Sequence, residues 1–269
     1  MRAVCTSPPW WLRDVIAAER NPIEIALAAE AQARGITYLG HDEYVSVGLG
    51  KGVQIWAEGK VPSPDAVDWD RVHDIPVAMV TGTNGKSTTV RLTAAIGQAA
   101  GRCVGLSSSD WVRVGGETLD EGDYSGPAGA RLAVRDTRVD LAIIETARGG
   151  LMRRGLPLPS ADACLLTNIA SDHLGTYGIT DVQALADAKF QIADAVKPGG
   201  RLVLNADDGE LVARSAGFDG QITPPSATSL PYLLVIGLCG LVAHFCIAKA
   251  LSLAPATVVS PIDFARLPV

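Results

Sequence analysis

The stretch VAMVTGTNGKSTTV, residues 77–90, decides the fold of this chain. It starts with an apolar run typical of a buried strand, continues through a glycine-rich turn, and ends in residues that can begin a helix. Such a turn lets backbone N–H groups surround phosphate oxygens, while a lysine adds positive charge and a hydroxyl can bind Mg²⁺. Lys86 supplies that charge and Ser87 that hydroxyl. The stretch therefore predicts a strand, a triphosphate-binding loop and a helix.

The general phosphate-loop pattern G-x-x-x-x-G-K-[ST] is incomplete here. Val80 stands at its first glycine, and Gly82 follows two positions later. An ordinary glycine-rich turn between a strand and a helix is the alternative. We favour the phosphate loop because an apolar strand pattern precedes the glycines and a helical pattern follows them.

Composition and charge narrow the class of protein. The chain has 269 residues, of which 48% are hydrophobic and 19% charged, which is enough for a substantial core in one or two domains. Its net charge of −6 argues against a nucleic-acid partner. The cysteines are scattered without a C-x-x-C pair and are interpreted as reduced thiols of a cytosolic protein; they are Cys5, Cys103, Cys164, Cys239 and Cys246. Residues 1–11 lack the apolar core of a signal peptide, so we expect a cytoplasmic catalytic part.

Residues 1–60 are interpreted as a partial N-terminal α+β region, followed by a linker at 61–73. A helix is predicted from Pro22 to Arg34, with proline in its first turn and Gly35 after its end. Three short apolar runs separated by glycines then predict a small antiparallel sheet; they are Ile36–Leu39, Tyr44–Val47 and Val53–Trp56. The tryptophans of this region are interpreted as packing residues rather than a ligand platform.

After the phosphate loop, strand and helix patterns alternate, which indicates an α/β fold. We predict a mostly parallel sheet flanked by helices. The unbroken apolar run between Asp140 and Glu145 predicts a central strand covered on both faces. The other predicted elements are a helix at 86–100, a strand at 103–106, a hairpin of 111–114 and 117–119 around Gly115 and Gly116, a helix at 127–135, a strand at 163–167, a helix at 182–196, a turn at 198–200 and a strand at 201–204.

Polar side chains follow two of these strands. Glu145 ends the central strand, and Asp172 and His173 follow the strand at 163–167. Parallel sheets bind ligands at the carboxyl ends of their strands, so these groups and a nucleotide there predict a site for one or two divalent ions. Taken alone, Glu145 could be a solvated strand end, and His173 a capping or structural histidine.

Three further polar residues are ambiguous from the residues alone. Lys189 lies within a predicted helix, where a single lysine is normally a solvated charge. Asn205 and Asp208 follow the last predicted strand, where they can reach a base or ribose or can form a turn.

Five segments, in this order, resemble the central ATP-binding domain of the Mur ligase family: TGTNGKST at 81–88, ETARGG at 145–150, TNIASDH at 167–173, AK at 188–189 and NADD at 205–208. The run ETARGGLMRRG, residues 145–155, is most similar to the cyanophycin synthetase branch. The resemblance covers about residues 74–216, which we interpret as the ATP-binding domain.

The resemblance implies an ATP-dependent ligase that joins a carboxylate, or a peptide terminus, to an amine through an acyl-phosphate. By this analogy Ser87 and Glu145 bind a first Mg²⁺, His173 binds a second, and Lys189 is carbamylated and adds a ligand to the second ion. Lys86, Glu145, His173 and Lys189 would be the catalytic residues. The nucleotide would be held by Gly82, Thr83, Asn84, Gly85, Lys86, Ser87, Thr88, Asn168, Asn205 and Asp208.

The composition changes after a predicted linker at 217–229. The ligases that this chain resembles continue into a C-terminal domain, which this sequence does not show, so a truncated ligase is expected. Leu230–Ala248 is apolar apart from His244, and a helix of this length spans about 28 Å, close to the hydrocarbon thickness of a bilayer. Small residues such as Gly237 and Gly240 favour a transmembrane helix over a buried one. The run Gly237–Val269 resembles a fragment of EamA-type drug/metabolite transporters, so 230–269 is interpreted as a transmembrane tail.

Three hypotheses follow: a truncated amide ligase, a membrane-attached ATP-binding module without ligase activity, and a transporter fragment. The set of phosphate and metal residues from Lys86 to Lys189 favours the first. The sequence identifies neither the acid nor the amine.

Overall fold

The structure is a computed structural model that describes residues 21–40, 43–171, 175–218, 221–222 and Lys249. All strands and helices discussed below belong to the compact unit formed by Met1–Ile222. In the second unit, Thr223–Val269, the one described residue is Lys249, which is helical. The predicted transmembrane segment 230–248 therefore lies outside the described residues. Within the described parts, every helix is too short or too polar to cross a bilayer.

A small α+β unit precedes the main sheet, as predicted. Helix α1, Pro22–Ala33, begins where the Asn21 side chain accepts hydrogen bonds from the N–H groups of Ile23 and Glu24. Three antiparallel strands follow in the order β1-β2-β3; they are β1 Tyr38–Leu39, β2 Tyr44–Val47 and β3 Gln54–Ala57. Buried Leu27 and Ala31 of α1 pack against Val45 and Val47 of β2.

The main sheet has eight strands among the described residues, in the order β11-β10-β9-β4-β8-β5-β6-β7. The six strands from β11 to β5 are parallel, and the hairpin β6–β7 adds an antiparallel edge. The prediction of a mostly parallel sheet is confirmed. The strands are β4 Val77–Thr81, β5 Val104–Ser107, β6 Trp111–Val114, β7 Glu117–Glu121, β8 Leu141–Glu145, β9 Ala161–Leu166, β10 Val196–Leu204 and β11 Gln221–Ile222.

Helices cover this sheet, and β8 lies near its centre. Ile143 of β8 packs in a cluster with residues of α2, whereas its neighbour Ile144 packs in a second cluster with residues of α3. Because successive side chains of a strand point to opposite faces, both faces of β8 are buried, as its apolar run predicts. The helices are α2 Lys86–Ala99, α3 Pro127–Val134, α4 Arg148–Arg154, α5 Val182–Phe190 and α6 Gly209–Ser215.

Two predicted boundaries are wrong. Helix α5 ends at Phe190 and continues as a 3-10 helix over Gln191–Ala195, because Val196 is already paired with Ala161 of β9. The predicted turn at 198–200 lies inside β10 as a bulge: Val196 pairs with Ala161, but the next pair is Arg201 with Ala163. Pro198 has no N–H for the ladder, which favours this interruption.

The predicted linker at 61–73 is packed rather than extended. Residues 64–66 and 69–71 form short 3-10 helices, and Val67 and Val72 are buried in the core of the small α+β unit. The proposed domain boundaries stay predictions.

Candidate active site

The predicted phosphate loop joins β4 to α2 at the carboxyl end of the sheet's central strands. Gly82 and Gly85 adopt φ values of +148° and +78°, which side-chain-bearing residues rarely adopt. Gly85 is the N-cap residue of α2 and offers no side-chain cap, so the first N–H groups of α2 have no partner from that residue. Lys86 begins α2, and its Nζ donates to the carbonyl oxygen of Thr83 at 3.0 Å. The loop thus has the glycine geometry and the cation that phosphate binding requires.

The segment after β9 holds this loop in place. The carbonyl oxygen of Asn168 accepts from the N–H of Thr83 at 2.8 Å, and its Oδ1 accepts from the N–H of Asn84 at 2.9 Å. Thr167 Oγ1 donates to the carbonyl oxygen of Asn84 at 2.6 Å. Asn168, predicted to bind the nucleotide, therefore contacts the loop backbone in this structure. Sequence patterns indicate this contact with the loop only weakly, because they contain no information on pairs of residues about 84 positions apart.

Ser87 and Glu145 lie together beside the loop. Ser87 Oγ donates to Glu145 Oε1 at 3.2 Å, and the N–H of Ser109 donates to Glu145 Oε2 at 3.3 Å. The hydroxyls of Ser87 and Ser109 are 3.1 Å apart. Glu145 is 1% exposed, so it is not a solvated strand end. Ser109 is not among the residues predicted from the sequence, although a serine run directly after β5 at the same edge of the sheet was a usable signal.

Burial affects the protonation of the Glu145 carboxyl in this cluster. Desolvation raises the pKa of the Glu145 carboxyl, while the Ser87 hydroxyl, the Ser109 N–H and the positive charge of Lys86 oppose that shift. A buried carboxylate next to a hydroxyl is a set of oxygen donors that suits Mg²⁺, which would also favour the ionised carboxylate.

Lys189 is not a solvated charge. Its side chain is 4% exposed, and its Nζ donates to the carbonyl oxygen of Gly82 in the phosphate loop. The lysine on α5 therefore meets the loop directly.

A cavity of about 370 Å³ opens beside these groups, a volume within the range of ligand sites. Lys86 and Lys189 both line it, together with Arg148 at the start of α4. Its remaining lining residues are Thr83, Ala147, Gly149 and Leu185. Three cationic side chains around one cavity suit a ligand with several negative charges.

The other predicted nucleotide residues lie in two places. Thr88 is exposed in the first turn of α2. After β10, Asn205 Oδ1 accepts from the N–H of Asp207, and Asp208 caps α6 by accepting from the N–H groups of Glu210 and Leu211. These bonds form the turn that was the alternative interpretation of this segment.

His173, with the neighbouring residues 172 and 174, lies outside the described residues. The second metal position that it was predicted to form is therefore not seen. In the part of the chain that the structure describes, no group of three or more His, Cys, Asp or Glu side chains is arranged to hold a metal ion. The first predicted Mg²⁺ position instead has the Glu145 carboxylate and the hydroxyls of Ser87 and Ser109 as its oxygen donors.

Comparison with known families agrees with this geometry. The model of the Mur ligase middle domain matches residues 80–223, more than half of the chain. The chain belongs to the Mur ligase family. The matched range begins in β4 and includes the phosphate loop, Glu145 and Lys189. The sequence resemblance to this family is confirmed, whereas that of 237–269 to a transporter finds no support among these matches.

Curated relatives of this Mur ligase family member include cyanophycin synthetases and a UDP-N-acetylmuramoylalanine–D-glutamate ligase. The cyanophycin synthetase of Geminocystis herdmanii is 44% identical over 148 residues, and that of Crocosphaera subtropica is 39% identical over 148 residues; each match covers 55% of this chain and 17% of the relative. The UDP-N-acetylmuramoylalanine–D-glutamate ligase of Chlorobium luteolum is 35% identical over 156 residues, 58% of this chain and 31% of the relative. The chain thus spans less than a third of each of these relatives.

Among solved structures, the chain is similar to a bifunctional folylpolyglutamate synthase/dihydrofolate synthase from Yersinia pestis. That likeness has a TM-score of 0.42 and 26% identity, and it covers 55% of this chain and 42% of the other.

Proposed function

We propose that this member of the Mur ligase family is the ATP-dependent catalytic part of an acid–amine ligase of the cyanophycin synthetase type. One observation carries the proposal: the Ser87 hydroxyl lies 3.2 Å from the buried Glu145 carboxylate, directly beside a glycine loop and the cavity that Lys86 and Lys189 line. This arrangement suits a nucleotide triphosphate with Mg²⁺, since it combines phosphate-binding backbone, cations and oxygen donors.

The proposed reaction joins an acid to an amine in two steps. A carboxylate oxygen attacks the γ-phosphorus of ATP, the bond to the ADP oxygen breaks, and an acyl-phosphate forms. The amine then attacks the acyl carbon, loses a proton and displaces phosphate. Phosphoryl transfer depends mainly on positioning and charge neutralisation, so the residues of this chain need to hold and orient rather than react.

The site residues have distinct roles in this proposal. Lys86 neutralises phosphate oxygens, and the residues from Gly82 to Thr88 hold the phosphate chain. Ser87 and Glu145 would hold one Mg²⁺, which would supply charge neutralisation for the phosphates. Lys189 would act as a carbamate near the acid substrate, and His173 would bind a second ion. These last two roles rest on the family resemblance, as do the contacts of Asn168, Asn205 and Asp208 with the nucleotide.

Substrates of the whole reaction are part of the proposal, because the chain spans only part of its relatives. The cyanophycin synthetases are the relatives with the highest identities given above, up to 44%, which favours that branch. The expected truncation of the ligase stays a prediction, and the membrane-attached and transporter alternatives have no supporting observation.

The test is Mg²⁺-dependent ATP binding to the full chain, measured by calorimetry. We expect Lys86→Ala to weaken binding about 100-fold, because a charge-assisted contact to phosphate is lost. Lys189→Ala should weaken ATP binding less than Lys86→Ala does and should reduce acyl-phosphate formation, since the family resemblance assigns Lys189 to the acid substrate although it also contacts the loop. Lys60→Ala is the matched control, because Lys60 is an exposed lysine in the turn after β3.

Two results would contradict the proposal. A folded wild-type chain that binds no ATP would exclude the nucleotide site. ATP binding that is equally strong in Lys86→Ala, with the fold checked by circular dichroism, would show that the loop does not hold the phosphates.

A further inference from the structure

The segment 167–170, directly after β9, contacts the phosphate loop at several points. Asn168 accepts hydrogen bonds from the N–H groups of Thr83 and Asn84. The N–H of Ala170 donates to Thr83 Oγ1 at 3.0 Å, and that hydroxyl donates back to the carbonyl oxygen of Ala170 at 3.3 Å. Thr83 is 8% exposed, so water competes little for these bonds. The position of this segment therefore determines the position of the loop backbone.

Ile169 lies between these two loop contacts, but its N–H has a partner outside the loop. It donates to Asp208 Oδ2 at 2.5 Å, and the two residues are 39 positions apart in the chain. Asp208 follows β10, and its other oxygen, Oδ1, accepts from the N–H groups of Glu210 and Leu211 at 3.0 and 3.2 Å. One partly buried carboxylate thus caps α6 and holds the segment 167–170 at the same time.

The surroundings of Asp208 fix this carboxylate in turn. The N–H of Asp208 donates to the carbonyl oxygen of Asn205 at 3.2 Å, and Asn205 Oδ1 accepts from the N–H of Asp207 at 3.0 Å. Helix α6 is itself attached to α5, because Arg214 Nε donates to Asp187 Oδ1 at 2.8 Å. The carboxylate is therefore held on a helix start that is bonded to its neighbours.

Such a connection affects how well the loop can bind phosphates. A loop that already has its binding geometry loses less conformational freedom when a ligand binds, and the affinity is higher for that reason. Hydrogen bonds from an N–H to an ionised carboxylate are about twice as strong as those between neutral groups. The bond from Ile169 to Asp208 is thus suited to keep the segment 167–170, and with it the loop, in one position.

We propose that Asp208 is a positioning residue of the nucleotide site, which holds the phosphate loop in its binding geometry through the N–H of Ile169. This role takes the place of the direct nucleotide contact that the family resemblance implies for Asp208, since both carboxylate oxygens already accept hydrogen bonds from N–H groups. The inference rests on the proposed function, because it concerns the nucleotide site of that reaction.

The experiment compares the binding of ATP and of inorganic tripolyphosphate to the full chain with Mg²⁺, by calorimetry. Tripolyphosphate has the phosphates of ATP without the base and the ribose. Asp208→Asn is the decisive variant: asparagine caps helices about as well as aspartate, but its single oxygen cannot both cap α6 and accept from Ile169. We expect this variant to bind both ligands about tenfold more weakly, because the loop must then be ordered on binding.

The matched control is Asp181→Asn. Asp181 caps α5, and its carboxylate accepts from the hydroxyl of Thr180 and the N–H of Ala184, both close to it in the sequence. This variant loses the same charge and keeps a helix cap, so it should bind both ligands as tightly as the wild type. An equal loss of affinity in Asp181→Asn would overturn the inference, because it would show a general effect of charge or helix stability.

Hydrogen exchange in ligand-free protein measures the connection to the loop directly. The amides of Thr83 and Asn84 should exchange about tenfold faster in Asp208→Asn and at the wild-type rate in Asp181→Asn. Unchanged exchange at both amides in Asp208→Asn would overturn the inference. So would weaker binding of ATP with unchanged binding of tripolyphosphate, since it would show that Asp208 contacts the base or the ribose.

The two proposals fail separately. Faster exchange at the loop amides of Asp208→Asn, in a chain whose wild type binds no ATP, would refute the proposed nucleotide site and retain the connection from Asp208 to the loop. A wild type that binds Mg-ATP, with equally tight binding in Asp208→Asn, would refute the positioning role alone.

Discussion

At the residue scale, the two loop glycines are needed for different reasons. A Cβ on Gly82 would lie 1.9 Å from Thr167 Oγ1, whereas a Cβ on Gly85 would have no atom within 4 Å. Gly85→Ala should therefore lower the free energy of unfolding only through the strain of a positive φ, by about 1–2 kcal/mol. Gly82→Ala adds overlap with a side chain that is fixed by its bond to Asn84, which costs about 1–3 kcal/mol more. Urea unfolding of both variants measures the difference.

Thr167 provides the control for this comparison. Thr167→Ala removes the hydroxyl that Gly82→Ala would meet, so the double variant should recover part of the lost free energy of unfolding. Recovery is partial because the Cβ and N of Thr167 also lie 3.1 Å from the added methyl group. Equal destabilisation by the two glycine substitutions would show that the loop relaxes away from Thr167.

Some site residues could be predicted from the sequence and others could not. The motif alone identified Lys86 and Ser87, and the strand-end position identified Glu145, because these signals are local. Lys189 needed the family resemblance, since a helical lysine alone indicates solvent exposure. Tyr177 had no signal: its ring contacts with Arg148 and Arg153 form only where α4 and the segment after β9 meet.

At the scale of secondary-structure elements, hydrogen bonds from one arginine connect the small antiparallel sheet to the main one. Arg135, directly after α3, donates from Nε to Ser46 Oγ at 3.1 Å and from Nη2 to the carbonyl oxygens of Leu39 and Tyr44 at 3.1 and 2.9 Å. We expect Arg135→Met to lower the free energy of unfolding by about 2 kcal/mol, because hydrogen bonds from a charged donor are lost. Hydrogen exchange should show less protection at the amides of β2.

Arg138 is the matched control for this prediction. It lies three residues later and is half exposed, and it pairs with Asp136 and Glu117 at the surface. Exposed ion pairs contribute about 0–1 kcal/mol, so Arg138→Met should leave β2 protection unchanged. Equal effects of the two substitutions on β2 would contradict the fastening role of Arg135.

Elements with a local signal were predictable, and boundaries set by pairing were not. The apolar run of β8 and the glycines between β6 and β7 located these strands correctly. The end of α5 and the start of β10 were misplaced, because pairing of Val196 with Ala161 decides where the helix stops. Sequence periodicity contains no information on that long-range pair.

At the scale of the whole molecule, strand order assembles the site. The neighbours β9-β4-β8-β5 are parallel, so their carboxyl ends lie along one edge. That edge brings together the phosphate loop after β4, Glu145 at the end of β8, Ser109 after β5 and Thr167 after β9. The sequence predicted a shared edge from the parallel sheet, but not which strands are neighbours, since that order is fixed by tertiary packing.

Burial of the Glu145 carboxyl should make the free energy of unfolding of the whole protein depend on pH. Burial raises the pKa of this carboxyl above its ordinary value of 4.5, so the folded protein holds a proton that the unfolded chain releases. The free energy of unfolding therefore falls as pH rises from 4.5 through the folded-state pKa, and the loss is complete above it. Glu145→Gln, which stays neutral, should therefore be more stable than the wild type near pH 7.

Urea unfolding across pH, with and without Mg-ADP, tests this sign. Below pH 4.5 the advantage of Glu145→Gln should disappear, because the wild-type carboxyl is then protonated in both states. Saturating Mg-ADP should reverse the order at pH 7, since metal binding favours the ionised carboxylate and stabilises only the wild type strongly. Glu58→Gln is the control: its exposed carboxylate lies after β3, so the change should be within about 0.5 kcal/mol. A wild type that is more stable than Glu145→Gln at pH 7 without ligand would mean that the Ser87 and Ser109 hydrogen bonds outweigh the burial of the charge.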